Sequence, residues 1–323
     1  MLRKTQSDDG GDAPSGRVAG SAARVNETGK AVAFMLAGSA LLTINDALVK
    51  ALASSYPAGQ VLFIRGMFVL PWIFLAAFFM GGLRALKIKS FKGQALRGTC
   101  VIASAFLFIT GLTLLPLAEA IAAAFTGPLF ITAMAPLVLG EVVGWRRRLA
   151  VLAGFVGVLF MVRPGSGALQ WAIIFPLCAA MFGGMRDLIT RRISQSETTL
   201  AVLFTTTTIV AMAGLATSSL GWEVLKLDHL PHFAASGFLL AGAHYAMIEA
   251  FRLGEAAIVA PFKYTSLIWA ILLGFLMFGD LPDGWTLAGA GIIIAAGLYI
   301  LERERALKKK ARPVTAVGPS ARL

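Results

Sequence analysis

"NDALVKALASSYPAGQVLF", residues 45–63, recurs about 140 residues later as "RDLITRRISQSETTLAVLF", residues 186–204. The two segments align without a gap, match Asp46 with Asp187, and both end in Val-Leu-Phe. Two further pairs follow in the same order: "LPLAEAIAAAF" (115–125) with "RLGEAAIVAPF" (252–262), and "VLGE" (138–141) with "MFGD" (277–280). Three matches in one order at nearly constant separation predict an internal repeat, so we expect two halves of similar construction.

The chain is strongly apolar. Of its 323 residues, 57% are hydrophobic and 14% are charged, a balance that a water-soluble surface cannot easily supply. The apolar runs recur at lengths near the roughly 20 residues that a helix needs to span a bilayer. Runs such as "FVLPWIFLAAFF" do not alternate apolar with polar residues, which disfavours transmembrane strands. The sequence therefore predicts an all-α polytopic membrane protein. The ten candidate spans are 31–52, 61–80, 98–115, 118–140, 149–163, 168–187, 199–219, 234–251, 256–278 and 285–301.

Combining the repeat with the ten spans predicts inverted halves. Five spans separate equivalent positions, and because five is odd, the second half must enter the membrane from the opposite side. Such inverted repeats recur in secondary transporters, with the substrate site between the halves near the bilayer midplane. Duplication that serves folding alone is the alternative. We expect a first repeat at 31–163 (helices 1–5), a second at 168–302 (helices 6–10), a disordered cytoplasmic tail at 1–30 and a basic cytoplasmic tail at 303–323.

The net charge of +12 is distributed along the chain in a topological pattern. Most of the 29 Lys and Arg fall in alternate polar segments, the positive-inside pattern, which predicts that both termini are cytoplasmic and that the protein crosses a bacterial-type inner membrane. A nucleic-acid site would need these residues on one face interleaved with aromatic side chains, so no nucleic-acid partner is predicted. The partners that we expect are the lipid bilayer and a small-molecule substrate.

The sequence contains no motif that indicates catalysis. It has no HExxH, GxSxG, GxxxxGK[ST] or CxxC pattern, so neither nucleotide hydrolysis nor hydrolase chemistry has residues to support it. Cys100 and Cys178 both lie inside apolar runs and do not indicate a disulfide framework. We therefore predict no cofactor, no metal site and no enzymatic activity, and a carrier driven by a gradient or by exchange.

Three charges lie unexpectedly within or beside the first two spans. Asp46 is about 15 residues into the first span, where an ionised group costs about 2.5–3.5 kcal/mol, which favours a paired or inward-facing position. Asp46 and Lys50 are four residues apart and share a helix face, so they can form a structural ion pair. Alternatively, Asp46 binds substrate or couples a proton in a central cavity. Arg65 either anchors the outer interface or contacts substrate.

Lys263 lies about eight residues into the ninth span, beside aromatic residues. Pro261 can open the helix there, as in the discontinuous helices of transporter sites. A cation near Tyr264 and Trp269 suits an anionic or planar aromatic substrate through charge and stacking. The alternatives are a structural pair with an acid such as Glu249, or a side chain that reaches the interface.

"FTGPLF" (125–130) in the fourth span places glycine beside proline. We expect a kink there that exposes backbone carbonyls to the cavity, and Phe125 at its start is a further candidate for substrate binding.

Four other ionisable residues are candidates for coupling or gating. Glu119 and Glu255 occupy nearly corresponding places at the starts of the fourth and ninth spans. They either cap their helices or latch a gate on each side of the membrane. His244 and Glu249 lie in the eighth span. His244 either relays protons or is a hydrogen-bonded packing residue.

Each half ends with a proline-containing helix, a Gly-acid pair and a glycine-rich helix: "PLFITAMAPLVLGE…AGFVGV" and "PFKYTSLIWAILLGFLMFGD…AGAGIIIAAG". In this the chain resembles EamA-type proteins of the drug/metabolite transporter superfamily over residues 31–302. The resemblance implies a cavity lined by helices 1, 3 and 4 and their partners 6, 8 and 9. The chain departs from the pattern at Asp280, where glutamate is usual.

Within the superfamily, "NDALVKALASSYPAGQVLFIRGMF" (45–68) resembles the branch that contains bacterial riboflavin and S-adenosylmethionine uptake carriers. This implies alternating access and favours import of a vitamin-like heterocycle such as riboflavin. Export of amino acids or related metabolites and uptake of S-adenosylmethionine remain open. Two other classes are an intramembrane enzyme with Asp46 and His244 as acid and base, and a non-transporting scaffold or sensor.

Overall fold

The protein is a bundle of α-helices. The computed structural model describes residues 15–79, 82–140, 142–162, 171–193, 198–254 and 256–311, and no strand occurs within these ranges. The helices are α1 (Ser15–Ala53), α2 (Ala58–Phe79), α3 (Phe91–Leu114), α4 (Leu117–Ala124), α5 (Gly127–Leu139), α6 (Trp145–Val162), α7 (Ile174–Ile193), α8 (Thr199–Ala216), α9 (Leu230–Leu253), α10 (Ala256–Val259), α11 (Ser266–Phe278) and α12 (Gly284–Ala311).

Within the part of the chain that the structure describes, seven helical stretches are long and apolar enough to cross a membrane by length and composition. They are Glu27–Ala53, Ala58–Phe79, Phe91–Leu114, Leu117–Leu139, Thr199–Leu220, Ala260–Phe278 and Gly284–Leu307. The three other predicted spans fall on α6, α7 and α9, which are also helical. These helices carry more polar residues: a run of three arginines opens α6, Arg186 and Asp187 lie in α7, and His244 and Glu249 lie in α9.

Two helices extend beyond the predicted spans. α1 begins at Ser15, inside the segment expected to be a disordered tail, and α12 continues to Ala311, inside the expected basic tail. The extension at 303–311 consists of Arg, Glu, Ala, Leu and Lys, which are good helix formers. The structure therefore differs from the expectation of disorder over 15–30. The rest of both tails lies outside the described residues.

The helices pack in a regular set of pairs. α1 runs along α9, and α3 runs along α7; α2 packs against α8, and α6 against α12. At the last of these contacts Gly157 faces Gly289: a Cβ on Gly157 would lie 2.8 Å from the carbonyl oxygen of Gly289. Glycine at both positions lets the two backbones approach this closely. The main buried cluster includes Leu117, Phe125 and Ile293, and so draws on both halves of the chain.

Two of the predicted spans are broken in their interior. α4 ends at Ala124 and α5 begins at Gly127 with Pro128 in its first turn, so the predicted kink is confirmed. In the ninth span, a 3-10 segment at Ala260–Thr265 separates α10 from α11. Pro261 lies in this segment and lacks the amide that a continuous α-helix would use. α11 contacts α4, so the two interrupted spans lie side by side.

Candidate substrate site

An aromatic contact joins the two helix breaks. The ring of Phe125, which is buried, meets the ring of Tyr264 edge-on with centroids 4.8 Å apart. The Tyr264 hydroxyl is buried and has no hydrogen-bond partner among the residues that the structure describes. Trp269, predicted to lie near Lys263 and Tyr264, is on the exposed side of α11 beside Ile268. The structure therefore brings together Phe125 and Tyr264, two of the three predicted aromatic side chains.

Asp46 interacts with a neighbour on α1 that is bonded to α9, and with the charge of an arginine on α2. The side-chain amide of Asn45 donates a hydrogen bond to the Asp46 carboxylate at 3.0 Å. Asn45 in turn accepts one from the hydroxyl of Ser236 on α9 at 2.7 Å. The guanidinium of Arg65 on α2 is within electrostatic range of Asp46. Arg65, which the sequence left open between an interface anchor and a substrate contact, is thus part of the Asp46 environment.

Lys50 does not use the partner that helical spacing suggested. Its ammonium group donates hydrogen bonds to the backbone carbonyls of Leu112, at 3.1 Å, and Leu115. It also lies 4.0 Å from the carboxylate of Asp280 and 5.1 Å from the ring centroid of Phe278. The predicted pair with Asp46 is therefore replaced by contacts with α3 and the end of α11. The physical reason is that the last carbonyls of α3 carry partial negative charge and lie within reach of the long side chain.

Lys263 projects from the 3-10 segment of the ninth span and retains exposed surface. The charges that act on it most strongly are those of Asp187, which attracts it, and Arg186, which repels it. The Nε of Arg186 lies 2.8 Å from the Asp187 carboxylate on the same helix. Asp187 is the repeat equivalent of Asp46, and the match could have identified it as a site residue.

His244 lies on α9 among cationic side chains. Its Nδ1 is 2.9 Å from the carbonyl oxygen of Leu240, so Nδ1 carries a proton and Nε2 is free to accept one. Arg186, Arg65 and Lys263 are all within electrostatic range of the ring. Glu249, half-buried, follows on the same helix. His244 is therefore adjacent to the other charged residues of the interior.

Arg97 is a residue that sequence reasoning assigned to topology alone. It is buried on α3, and its Nε donates a hydrogen bond to the hydroxyl of Thr190 on α7 at 2.7 Å. A second guanidinium nitrogen donates to the hydroxyl of Thr206 on α8. Arg186 and Asp187 are within its electrostatic range. No spacing rule relates Arg97 to these residues, because all of them are distant in sequence.

We call the interacting charges the polar cluster. Its members are Asp46, Arg65, Arg97, Arg186, Asp187, His244 and Lys263. They come from helices of both halves, yet Lys263 and His244 remain exposed and Asp46 and Arg65 are only half-buried. These side chains are surrounded by helices but are still accessible to water. They therefore line an internal opening. Four basic side chains, three of them arginines, outnumber two carboxylates, so the cluster suits a polar group with negative or neutral charge.

Of the two acids predicted at helix starts, Glu119 is described by the structure and Glu255 is not. Glu119 is in the first turn of α4, with its Oε1 3.5 Å from the hydroxyl of Thr286 on α12. It is also within electrostatic range of Lys50. Glu255 lies outside the described residues. Among those that are described, no group of three His, Cys, Asp or Glu could hold a metal ion.

Curated proteins with similar sequences are transporters. The chain is 34% identical over 205 residues to a "Riboflavin transporter" of Rhizobium johnstonii, a match that covers 63% of this chain and 68% of the relative. It is 28% identical over 270 residues to an "S-adenosylmethionine uptake transporter" of Rickettsia prowazekii, covering 81% and 89%. A solved crystal structure, 17% identical, has a TM-score of 0.59 over 85% of this chain and 98% of its own, which relates the folds.

An all-helical bundle with several membrane-spanning helices and an interior polar cluster defines a multi-pass bacterial membrane protein that transports a small metabolite. The chain belongs to the EamA-like transporter family, whose sequence profile matches residues 29–163 and again 170–301.

Proposed function

We propose that this protein is a secondary carrier with ten transmembrane helices in two inverted five-helix repeats, which moves its substrate by alternating access. The repeats are 31–163 and 168–302, and the two separate family matches support these boundaries. Because one half then resembles the other turned over, the inward-open and outward-open states interconvert by rocking the halves about a central site. Catalysis is not part of the proposal.

The helix contacts are the observation that carries this proposal. In the proposed repeat, α1 and α7 are equivalent, as are α3 and α9; α1 packs on α9, and its equivalent α7 packs on α3. α2 and α8 pack on each other, as do α6 and α12, as expected for equivalent helices beside a twofold axis. The two broken spans are also equivalent, with Phe125 aligned to Phe262. Each contact therefore has its counterpart in the other half.

The proposed orientation follows from charge. Basic residues concentrate in the segments before α3 and α6 and at the end of α12, so we assign these to the cytoplasm together with both termini. Asp46 and Asp187 then lie toward opposite sides of the membrane within their equivalent helices. This arrangement suits two sites of similar chemistry, one of which is exposed to the cytoplasm in one state and the other to the outside in the other state.

The polar cluster and the aromatic contact support a planar heterocyclic substrate. We assign substrate binding to Asp46, Lys263, Tyr264 and Phe125, with Trp269 a weaker candidate because it lies on the exposed side of α11. The Phe125 and Tyr264 rings offer a stacking surface near the cations of the cluster. Riboflavin has a planar ring system with many hydrogen-bonding groups, and relatives named as riboflavin transporters support its uptake as the leading function.

S-adenosylmethionine uptake is the second candidate, because the relatives with that name match more of their own length. The excess of basic groups in the polar cluster opposes it, since this substrate carries a sulfonium cation and an ammonium group. Export of amino acids or related metabolites is a third candidate. Asp46 and His244, with Glu119, Glu249 and Glu255, are the candidates for proton coupling and gating.

A proteoliposome panel tests the proposal. Purified protein would be reconstituted into sealed vesicles, and the uptake of riboflavin, S-adenosylmethionine and amino acids measured with and without a pH gradient. We expect riboflavin accumulation that Lys263→Ala and Asp46→Asn lower at least about tenfold. Lys226→Ala, which removes an exposed charge distant in sequence from the cluster, is the matched control and should transport normally. Conversion of a substrate rather than its redistribution would contradict a carrier.

A further inference from the structure

A cavity of the bundle is lined by none of the residues of the polar cluster. It is a groove of about 800 Å³ between α3, α5 and α7. Its walls are mainly apolar and include Leu96, Met134, Met181 and Met185. One end is basic, because Lys92 and Arg192 both line it. A groove that is apolar along its length and cationic at one end is complementary to an amphiphile with a negative head.

On α7 the groove residues and Asp187 occupy opposite faces, while Arg186 lies at the edge of the groove face, about 40° from Phe182. Successive residues of an α-helix are rotated by about 100°, so Met185, in the groove, is about 200° from Asp187, in the cluster. On α3, Arg97 turns to Thr190 and Thr206, whereas Lys92 lines the groove. None of the substrate candidates Asp46, Lys263, Tyr264 and Phe125 lines the groove.

The dimensions of the groove match a lipid that stands in one leaflet. Lys92 is in the first turn of α3, and Cys100, which lines the deeper part, is eight residues further on, a rise of about 12 Å. Arg192 is in the last turn of α7, level with Lys92. The amides of the first turn of α3 point toward the same end and add to its positive potential.

We propose that this groove binds an anionic phospholipid of the cytoplasmic leaflet. The phosphate contacts Lys92 and Arg192, and an acyl chain follows the apolar wall toward Cys100. The three methionines are flexible and adapt to an irregular chain. The assignment to the cytoplasmic leaflet rests on the proposed orientation, in which the start of α3 and the end of α7 face the cytoplasm. Basic pockets between helices on that side are suited to phosphate head groups.

The bound lipid has a mechanical consequence. α3 and α5 belong to the first repeat and α7 to the second, so the lipid contacts both halves at once. When the halves rock, the walls of the groove move relative to each other, and the lipid stabilises whichever state keeps the groove formed. The rate of transport is therefore expected to depend on the fraction of anionic lipid in the bilayer.

Native mass spectrometry of the full-length protein in detergent tests the site. Phosphatidylglycerol would be titrated against phosphatidylcholine for the wild type and for Lys92→Gln combined with Arg192→Gln. We expect that variant to bind phosphatidylglycerol roughly tenfold or more weakly, with phosphatidylcholine binding unchanged. The matched control is Arg84→Gln combined with Lys87→Gln, which removes two exposed charges before the same helix but outside the groove. Equal binding by the two double variants would overturn the proposal.

A second variant separates shape from charge. Met185→Trp fills the groove and leaves both basic residues in place, so it should also weaken phosphatidylglycerol binding, and unchanged binding would overturn the assigned position of the acyl chain. Binding in detergent needs no sealed compartment. If no metabolite is transported while lipid selectivity follows these expectations, the proposed function fails and the lipid site stands. If a metabolite is transported but lipid selectivity does not follow them, only the lipid site is contradicted.

Discussion

The ammonium group of Lys50 lies 4.0 Å from the carboxylate of Asp280, a contact between α1 of the first half and the residue that follows α11 in the second. Its hydrogen bonds, however, go to the carbonyl oxygens of Leu112 and Leu115 at the end of α3. Asp280 is about one-third exposed, so solvent weakens its attraction to Lys50. The carbonyls have no partners within α3, because they belong to its last turn. They are therefore the stronger contribution to holding Lys50.

Lys50→Ala should destabilise the protein more than Asp280→Asn. The first change removes hydrogen bonds from a charged donor, worth about 1.5–3 kcal/mol each, and leaves helix-end carbonyls unsatisfied. The second change removes one partly exposed ion pair, worth about 0–1 kcal/mol. Thermal unfolding in detergent, followed by tryptophan fluorescence, measures both. If Asp280→Asn lowers the thermal stability as much as Lys50→Ala does, the ion pair is the dominant interaction of Lys50.

Asp46 and Arg65 should be energetically coupled, because each is the opposite charge that acts on the other most strongly. Asp46→Asn leaves the Arg65 cation without its carboxylate, and Arg65→Gln leaves the Asp46 carboxylate without its cation. The double variant removes both charges. We expect a coupling free energy of about 0.5 kcal/mol or more in a double-mutant cycle of thermal unfolding. Asp46→Asn combined with Arg84→Gln, which is exposed and distant in sequence, should be additive. Additivity in the first cycle would contradict the contact.

The helices and their interruptions could be predicted because their signals are local. Apolar runs near membrane length coincide with helices of the structure. The Gly127–Pro128 pair lies where α5 begins after the end of α4. The close approach of Gly157 to Gly289 also follows from local composition, since only glycine-rich faces allow it. In each case the residues that decide the structure are neighbours in sequence.

The charged site could be predicted only in part. The spacing of Asp46 and Lys50 correctly places them near one helix face, but the carbonyls that bind Lys50 lie more than sixty residues away on another helix. Arg97 looked like one of many cytoplasmic cations, because nothing local reveals that it turns inward toward α7 and α8. Asp187 is detectable from the sequence, since it aligns with Asp46 in the repeat.

Arg97 should contribute to stability through its geometry and not its charge alone. It joins three helices by donating to the hydroxyls of Thr190 and Thr206. Arg97→Lys keeps the charge but cannot present two donors in a fixed plane, so we expect a loss of about 1–3 kcal/mol in the free energy of unfolding. Thr190→Val should cost about 1–2 kcal/mol, as it removes the bond from Arg97 and the bond that the Thr190 hydroxyl donates to the carbonyl oxygen of Arg186. If Arg97→Lys unfolds like the wild type, the bridging geometry is unimportant.

Gly297 is expected to be essential for the position of Tyr264. A Cβ on Gly297 would overlap the Tyr264 hydroxyl, which is buried beneath α12. Gly297→Ala should therefore push the ring against Phe125 and reduce substrate uptake several-fold. Gly291→Ala is the matched control on the same helix, because no atom lies within 4 Å of its added Cβ.

A rescue experiment identifies the cause of the Gly297→Ala defect. Tyr264→Phe removes the hydroxyl that the new methyl group would strike, while the aromatic contact with Phe125 is kept. Uptake by the double variant should recover most of the activity that Gly297→Ala loses, as measured in the same vesicles. If Tyr264→Phe alone is inactive, the hydroxyl itself binds substrate, which would explain why it is buried without a protein partner. If the double variant is no better than Gly297→Ala while Tyr264→Phe is active, the overlap is not the cause of the defect.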